Sequence, residues 1–435
     1  MSTDARGWAV RLRDRVLSDD PLVRAMSYQS VLSAFAEGTF LAGSAVYLIR
    51  VVGLTGTEVG LGLTVAGLVT FLVAVPLGRL ADRVGTRRTW ILGSLAQALV
   101  FAAWPLAGGL ASFLVVAVAL EVAESWARSG RNAYRFAVFP RETRVRSLAY
   151  MRAARNVGYS LGALAAGLAL AAPGLTLVQA LPLLTAAVLL VNTVLVARLP
   201  VVREPGREAA ARPAAQGEGR AWWRRSRDPR RALANRGFLL TSVLDGVLGS
   251  HQVLLNVVVP VWVVQETDAP RELVAVLFGL NTVMAVTLQV AASRGVADVA
   301  SSLRSERRGA ACLLLSFLVL LTTHETLGWA TVLLLVLGHV TITGSELWQS
   351  AGQWGLQAEL SDPERRGEYQ GVAQLGYTAG NVWAPAAFTW LTMGQGTWGW
   401  GVLLALVVVA AVGLHPAARA AERHLARVAP EPARV

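Results

Sequence analysis

The chain has 435 residues, 54% of them hydrophobic, with a mean hydropathy of +0.48. That balance is far from the soluble norm and leaves room for about a dozen spans of ~20 residues. All 40 basic residues are arginine and the net charge is +12; they cluster in every second connecting segment, which fits a membrane surface and argues against nucleic acid. Cys312 is the only cysteine, so an intrachain disulfide and a thiolate metal site are excluded. The histidines show no ligand spacing, and there is no P-loop, no H-E-x-x-H and no nucleophile elbow. No catalytic residue, metal or cofactor is expected, nor any obligate protein partner.

Residues 1–26 are polar, carry five arginines and lack a cleavable signal pattern, which predicts a cytoplasmic tail. Spans are predicted at 28–51, 57–77, 89–106, 111–136, 147–170 and 176–197, making an N-terminal half of residues 27–197. Residues 198–235 change texture to Ala, Pro, Gly and Arg and read as a cytoplasmic linker, in which 220–225 (R-A-W-W-R-R) could lie on anionic lipid. A second half, residues 236–416, has spans at 237–264, 272–293, 309–325, 328–353, 368–392 and 398–416, and a basic tail follows at 417–435. Arg50 and Arg271 are the only arginines in the loops predicted to lie outside, so both termini are expected in the cytoplasm of a plasma membrane, a bacterial inner membrane.

The halves repeat one plan at offsets near half the chain. Glu37-Gly38 matches Asp245-Gly246, and Asp82 matches Asp298. E-S-W-A-R-S-G from Glu124 matches E-L-W-Q-S-A-G from Glu346. Pro140 matches Pro363, and G-Y-S-L-G from Gly158 matches G-Y-T-A-G from Gly376. Five pairs in one order predict two pseudo-symmetric six-helix halves.

Between the second and third spans stands G-R-L-A-D-R-V-G-T-R-R, with Gly78, Asp82, Arg83, Gly85, Arg87 and Arg88 in a fixed pattern. This bridge resembles motif A of the major facilitator superfamily, and the chain is similar to that family's proton-linked drug exporters. The resemblance implies an all-α integral membrane protein of twelve transmembrane helices in the major facilitator fold. It also implies that Asp82 lies near the start of span eleven, around Glu368 to Gly371, when the cytoplasmic side is closed. Gly158, Gly162 and Gly167 fall where the exporters' span-five glycine motif would, though Ala163 and Ala166 replace its proline and one glycine.

An ionisable side chain in hydrocarbon normally faces the bundle interior with a partner or a task. Five acids stand at such depths: Glu37, Glu121, Glu124, Asp245 and Glu346. Glu124 can pair with Arg128 one turn on. Glu37, Asp245 and Glu346 have no arginine within a turn on their own helix, so a neutral or proton-exchanging state is expected, with Glu37 carrying the coupled proton and Asp245 as its partner. Trp126 and Trp348, close in sequence to mid-span acids, are kept as flat surfaces for a lipophilic substrate. The expected function is proton-coupled efflux of a lipophilic small molecule, cationic or neutral, by alternating access. The alternatives are a proton-coupled importer of a small nutrient and a membrane sensor or scaffold that has lost transport.

Overall fold

The computed structural model of the chain describes residues 17–202 and 228–428. The predicted surface segment at 220–225 lies outside the described residues, as do residues 1–16, the rest of 203–227 and 429–435. The fold is all helical, with no strand among the described residues. The first six helices are α1 (Pro21–Val46, prolonged by a π turn Tyr47–Val51), α2 (Gly56–Val84), α3 (Thr86–Ala103), α4 (Leu110–Val138), α5 (Arg141–Ala171) and α6 (Thr176–Ala197). Then follow α7 (Arg236–Gln265, interrupted at Gly249 and by a π turn), α8 (Leu273–Ala292), α9 (Val299–Thr322), α10 (Trp329–Glu359), α11 (Arg366–Asn381), α12 (Ala384–Gly394) and α13 (Gly396–Val428). Nine of these helices are long and apolar enough to cross a membrane by length and composition. The exceptions have local causes: α5 and α9 carry arginines in their first halves, and the eleventh predicted span is divided between α11 and α12 before Pro385. The basic tail expected from residue 417 continues α13 as helix to Val428.

Packing divides the chain into two units; one cut lies in the linker, and two fall inside helices, before Ser147 of α5 and before Val372 of α11. The first unit holds α1 to α4, α5 from Ser147, α6, and Pro363–Gly371, which includes the first turn of α11. The second holds Arg141–Arg146, α7 to α10, and the chain from Val372 onward. The starts of α5 and α11 thus group with the other unit from the rest of their helices.

Glycine sets the distance between helices inside each unit. On α5, a Cβ at Gly158 would strike the Val31 carbonyl oxygen of α1, and one at Gly162 would strike the Phe35 oxygen. From the other side, a Cβ on Gly38 would lie 2.8 Å from the Tyr159 carbonyl oxygen. The second unit repeats the crossing, because a Cβ on Gly246 of α7 would lie 2.5 Å from the Gly376 oxygen of α11. Bare backbone on both sides is what lets these helices touch. Gly167 differs: nothing lies within 4 Å of its Cβ position. Gly158→Val should therefore destabilise the detergent-purified protein by at least ~1 kcal/mol through overpacking, read as a lower Tm or loss of the monodisperse peak. Gly167→Val should leave both readouts unchanged.

Candidate functional site

At the end of α2, the motif A residues meet the start of α11, all within the first unit. Asp82 accepts hydrogen bonds from the Gly367 N–H (2.6 Å to Oδ1) and the Glu368 N–H (2.9 Å to Oδ2). These are orphan donors of a helix N-terminus, where a carboxylate also meets the positive end of the dipole. Gly78 makes the approach possible, since a Cβ there would collide with the Gly367 carbonyl oxygen. Gly85 turns the chain into α3 at φ +99, a conformation that L side chains rarely adopt. Arg87 donates to the Ala197 carbonyl oxygen at the end of α6, while Arg83 and Arg88 are exposed. Arg79, which the motif reading passed over, pairs with buried Glu368 at 3.1 Å.

The second unit holds its exchanged turn by other means. Glu359 at the end of α10 pairs with Arg141 (2.6 Å) and Arg144 (3.3 Å). Asp298, the counterpart of Asp82, instead caps its own helix, accepting from the Ser301 N–H at 2.7 Å in a reciprocal capping box. Bonds from the Ser301 hydroxyl and N–H hold its carboxyl below the usual range, and Arg304 and Arg141 add to the effect. Serine at the position equivalent to Gly85 thus has its own use.

Deeper in the first unit, Glu37, with no arginine within a turn on its own helix, meets one from another helix instead of standing as a neutral acid. Arg155 of α5 donates to Glu37 Oε2 at 2.7 Å, the Tyr159 hydroxyl donates to the same oxygen at 2.6 Å, and Ser33 donates to Oε1 at 3.2 Å. The guanidinium also lies 5.0 Å from the Tyr159 ring centroid. Arg155 therefore neutralises an acid on another helix. The Gly158–Gly162 contact with α1 brings the two side chains together.

Glu124 and Arg128 form the expected pair within α4. Glu121 lies within electrostatic reach of both. Side-chain exposures of 25% for Glu37, 28% for Arg155 and Arg128 and 33% for Glu124 show that the cluster keeps an open side. Trp126 does not join it: two positions from Glu124, it points about 200° away round the helix.

In the second unit, Asp245 is buried and held by two amides. Gln349 Nε2 and Gln353 Nε2 of α10 each donate to one carboxylate oxygen at 2.6 Å. Glu346 lies one turn before Gln349 and accepts from Asn281 Nδ2 of α8 at 3.0 Å. Trp348 is turned away from these acids: Arg308 sits over its ring, 4.8 Å from the centroid, and it packs against Ala285, Ala292 and Leu347.

Glu306 on α9 escaped the sequence reading. It is 1% exposed, neither carboxylate oxygen has a hydrogen-bond partner among the described residues, and it stands within electrostatic reach of Asp245. The arginines around it, S-E-R-R in sequence, had placed it in a cytoplasmic loop. In the helix it sits instead on the face toward α10, against Gly352.

A family model of the Major Facilitator Superfamily matches residues 27–353. The chain belongs to the major facilitator superfamily. As a member it is a multi-pass membrane transporter and not an enzyme. A bacterial homologue of the iron transporter ferroportin, solved in an outward-facing state, has a TM-score of 0.66 at 16% identity, over 92% of this chain and 100% of that one. The proton:xylose symporter XylE gives 0.66 at 14% identity, over 90% and 94% of the two chains. The human organic anion transporter MFSD10 gives 0.57 at 15% identity, over 91% and 100%. No curated protein sequence matches the chain significantly. Iron, a sugar and organic anions are different cargoes, so the shared superfamily fold by itself names none here.

The Glu124–Arg128 pair yields a direct test. Removing one partner leaves a charge uncompensated in a poor solvent, and removing both relieves it. Glu124→Gln should lower the Tm of purified protein, and Glu124→Gln with Arg128→Gln should recover part of the loss. The cycle should give a coupling of about 0.5–3 kcal/mol, the range of contacting residues.

Proposed function

We propose that the chain is a proton-coupled secondary transporter that exports a small lipophilic molecule by alternating access. In this reading it works in the plasma membrane with both termini in the cytoplasm. The observation that carries it is the pair of buried acids in the second unit. Among the described residues Asp245 accepts hydrogen bonds only from neutral amides, and Glu306, within electrostatic reach of it, has no hydrogen-bond partner. An arginine partner would lock a carboxylate in its charged form, whereas a buried carboxyl among neutral groups is free to change charge with the proton it carries. Glu37, already bridged by Arg155 and Tyr159, is less suited to that task than its place in the repeat suggested. Export is favoured by the intact motif A and its likeness to the drug exporters.

Transport driven by a pH gradient in proteoliposomes tests the coupling. Asp245→Asn and Glu306→Gln should each abolish uphill movement while leaving gradient-free exchange of substrate. If Glu37→Gln alone uncouples the two, the proton sits on the first unit and this assignment fails. Uptake toward the side of the termini would reverse the direction.

Motif A adds a gate. Opening to the cytoplasm would require the first turn of α11 to leave Asp82. Asp82→Asn keeps one acceptor and loses the charge, weakening the dipole contact by about 0.3–1 kcal/mol. Transport should slow several-fold with expression and insertion unchanged; a wild-type rate would remove the gate from the mechanism.

A further inference from the structure

We propose that the first unit carries an anion-recognition site, built by Arg131 and Arg135 of α4, that takes the carboxylate, sulfate or phosphate group of an amphiphilic substrate. The proposal deepens the transport reading by naming the substrate class, and it turns the expectation of a cationic or neutral cargo around.

The argument begins with spacing. Arg128, Arg131 and Arg135 follow one another at three and four residues on α4, so they stand on one helical face. Measured back from Val138 at ~1.5 Å per residue, they lie roughly 15, 10 and 5 Å from the end of the helix. Together they make a cationic ladder that runs from the helix end toward the cluster around Glu37.

Charge accounting then shows what is missing. Glu37 is taken by Arg155 and Tyr159, and Glu124 by Arg128. The remaining acid, Glu121, interacts chiefly with Glu124 and Arg128. Among the described residues Arg131 has no hydrogen bond and no ion pair, and its Nε is buried without a partner. Its nearest charges are Arg155, Glu37, Arg128 and Glu124, two of each sign, with both acids already bonded to other arginines. Arg135 has one neutral partner, the Ser30 hydroxyl at 3.0 Å, and the face of Trp90 at 5.8 Å, and its Nε is likewise buried and unpartnered. Glu37 and Glu124 act on these guanidiniums only from beyond bonding distance, and two adjacent cations with no carboxylate bonded to either are costly in a medium that screens poorly.

Snorkelling to the lipid surface is the ordinary use of arginines near a helix end, but these two turn inward. Trp90, beneath Arg135, is 1% exposed, and Arg131 sits within reach of the Glu37 cluster. An entering anion would supply the missing charge, and a planar guanidinium fork suits an oxyanion held by two parallel bonds. A cation would meet repulsion at the same place.

The test uses three probes with one apolar body: 1-naphthylacetate, 1-naphthaleneethanol and 1-naphthylmethylamine. Binding to the full chain is measured by titration calorimetry in phosphatidylcholine nanodiscs. Naphthylacetate should bind most tightly of the three, Arg131→Gln and Arg135→Gln should each weaken it at least tenfold, and Arg131→Lys should recover part of the loss. Naphthaleneethanol should bind equally to all variants. Three results would overturn the site: the amine binding as tightly as the acid, acid binding indifferent to both glutamine variants, or no binding of naphthylacetate, naphthyl phosphate or naphthalenesulfonate. Repeating the titration with phosphatidylglycerol in the disc separates the sources of the anion. If that lipid abolishes the dependence on Arg131, the arginines serve a headgroup and the substrate assignment falls. A Tm for each variant shows that it has folded, and Arg131→Lys keeps the test open should Arg131→Gln not fold. The assay involves no gradient and no movement of substrate. A chain that binds the anion but does not transport it would retain the site and lose the transport reading.

Discussion

A charged side chain away from water needs an opposite charge or a full set of hydrogen bonds, and the interior of this protein is arranged around that need. The first unit meets it with ion pairs. Glu37 draws Arg155 and Tyr159 from a second helix, and Glu124 draws Arg128 along its own. At its mid-span acids the second unit meets it with neutral groups, as amides hold Asp245 and Glu346, while arginines pair with Glu359 and Asp362 near the end of α10. Repeated sequences have thus reached two electrostatic solutions on one scaffold.

These contacts depend on backbones that nearly touch. The Arg155–Glu37 bond spans α5 and α1 at the crossing where Gly158, Gly162 and Gly38 remove side chains from between the helices. At the motif A turn, Gly78 and Gly367 bring the end of α2 against the start of α11, within reach of Asp82. In both places a glycine comes first and the polar contact follows from it. A side chain added at either position would push the helices apart before it touched a charge.

This order explains how much could be read from sequence. Helix number, the two-fold repeat, motif A and the Glu124–Arg128 pair were legible, because each depends on residues close together in the chain. Partners across helices were not. Glu37 looked unpaired because no arginine stands within a turn on its own helix, while its partner Arg155 lies 118 positions away. Glu306 looked like a loop residue because three arginines lie within two positions of it, and only helix α9 shows that they face elsewhere. Gly167 matched a motif yet borders open space, so a pattern of glycines marks a crossing only where the partner helix is present.

The two electrostatic solutions suit different tasks. A site of fixed ion pairs holds its charge through a transport cycle and can discriminate among cargoes by sign. A site of buried acids with neutral neighbours can change its charge and so respond to protons. Placing recognition in the first unit and coupling in the second assigns each task to the chemistry able to perform it. Under that proposed division, an arginine beside Asp245, where Glu37 has one, would fix its charge and remove its response to a proton gradient.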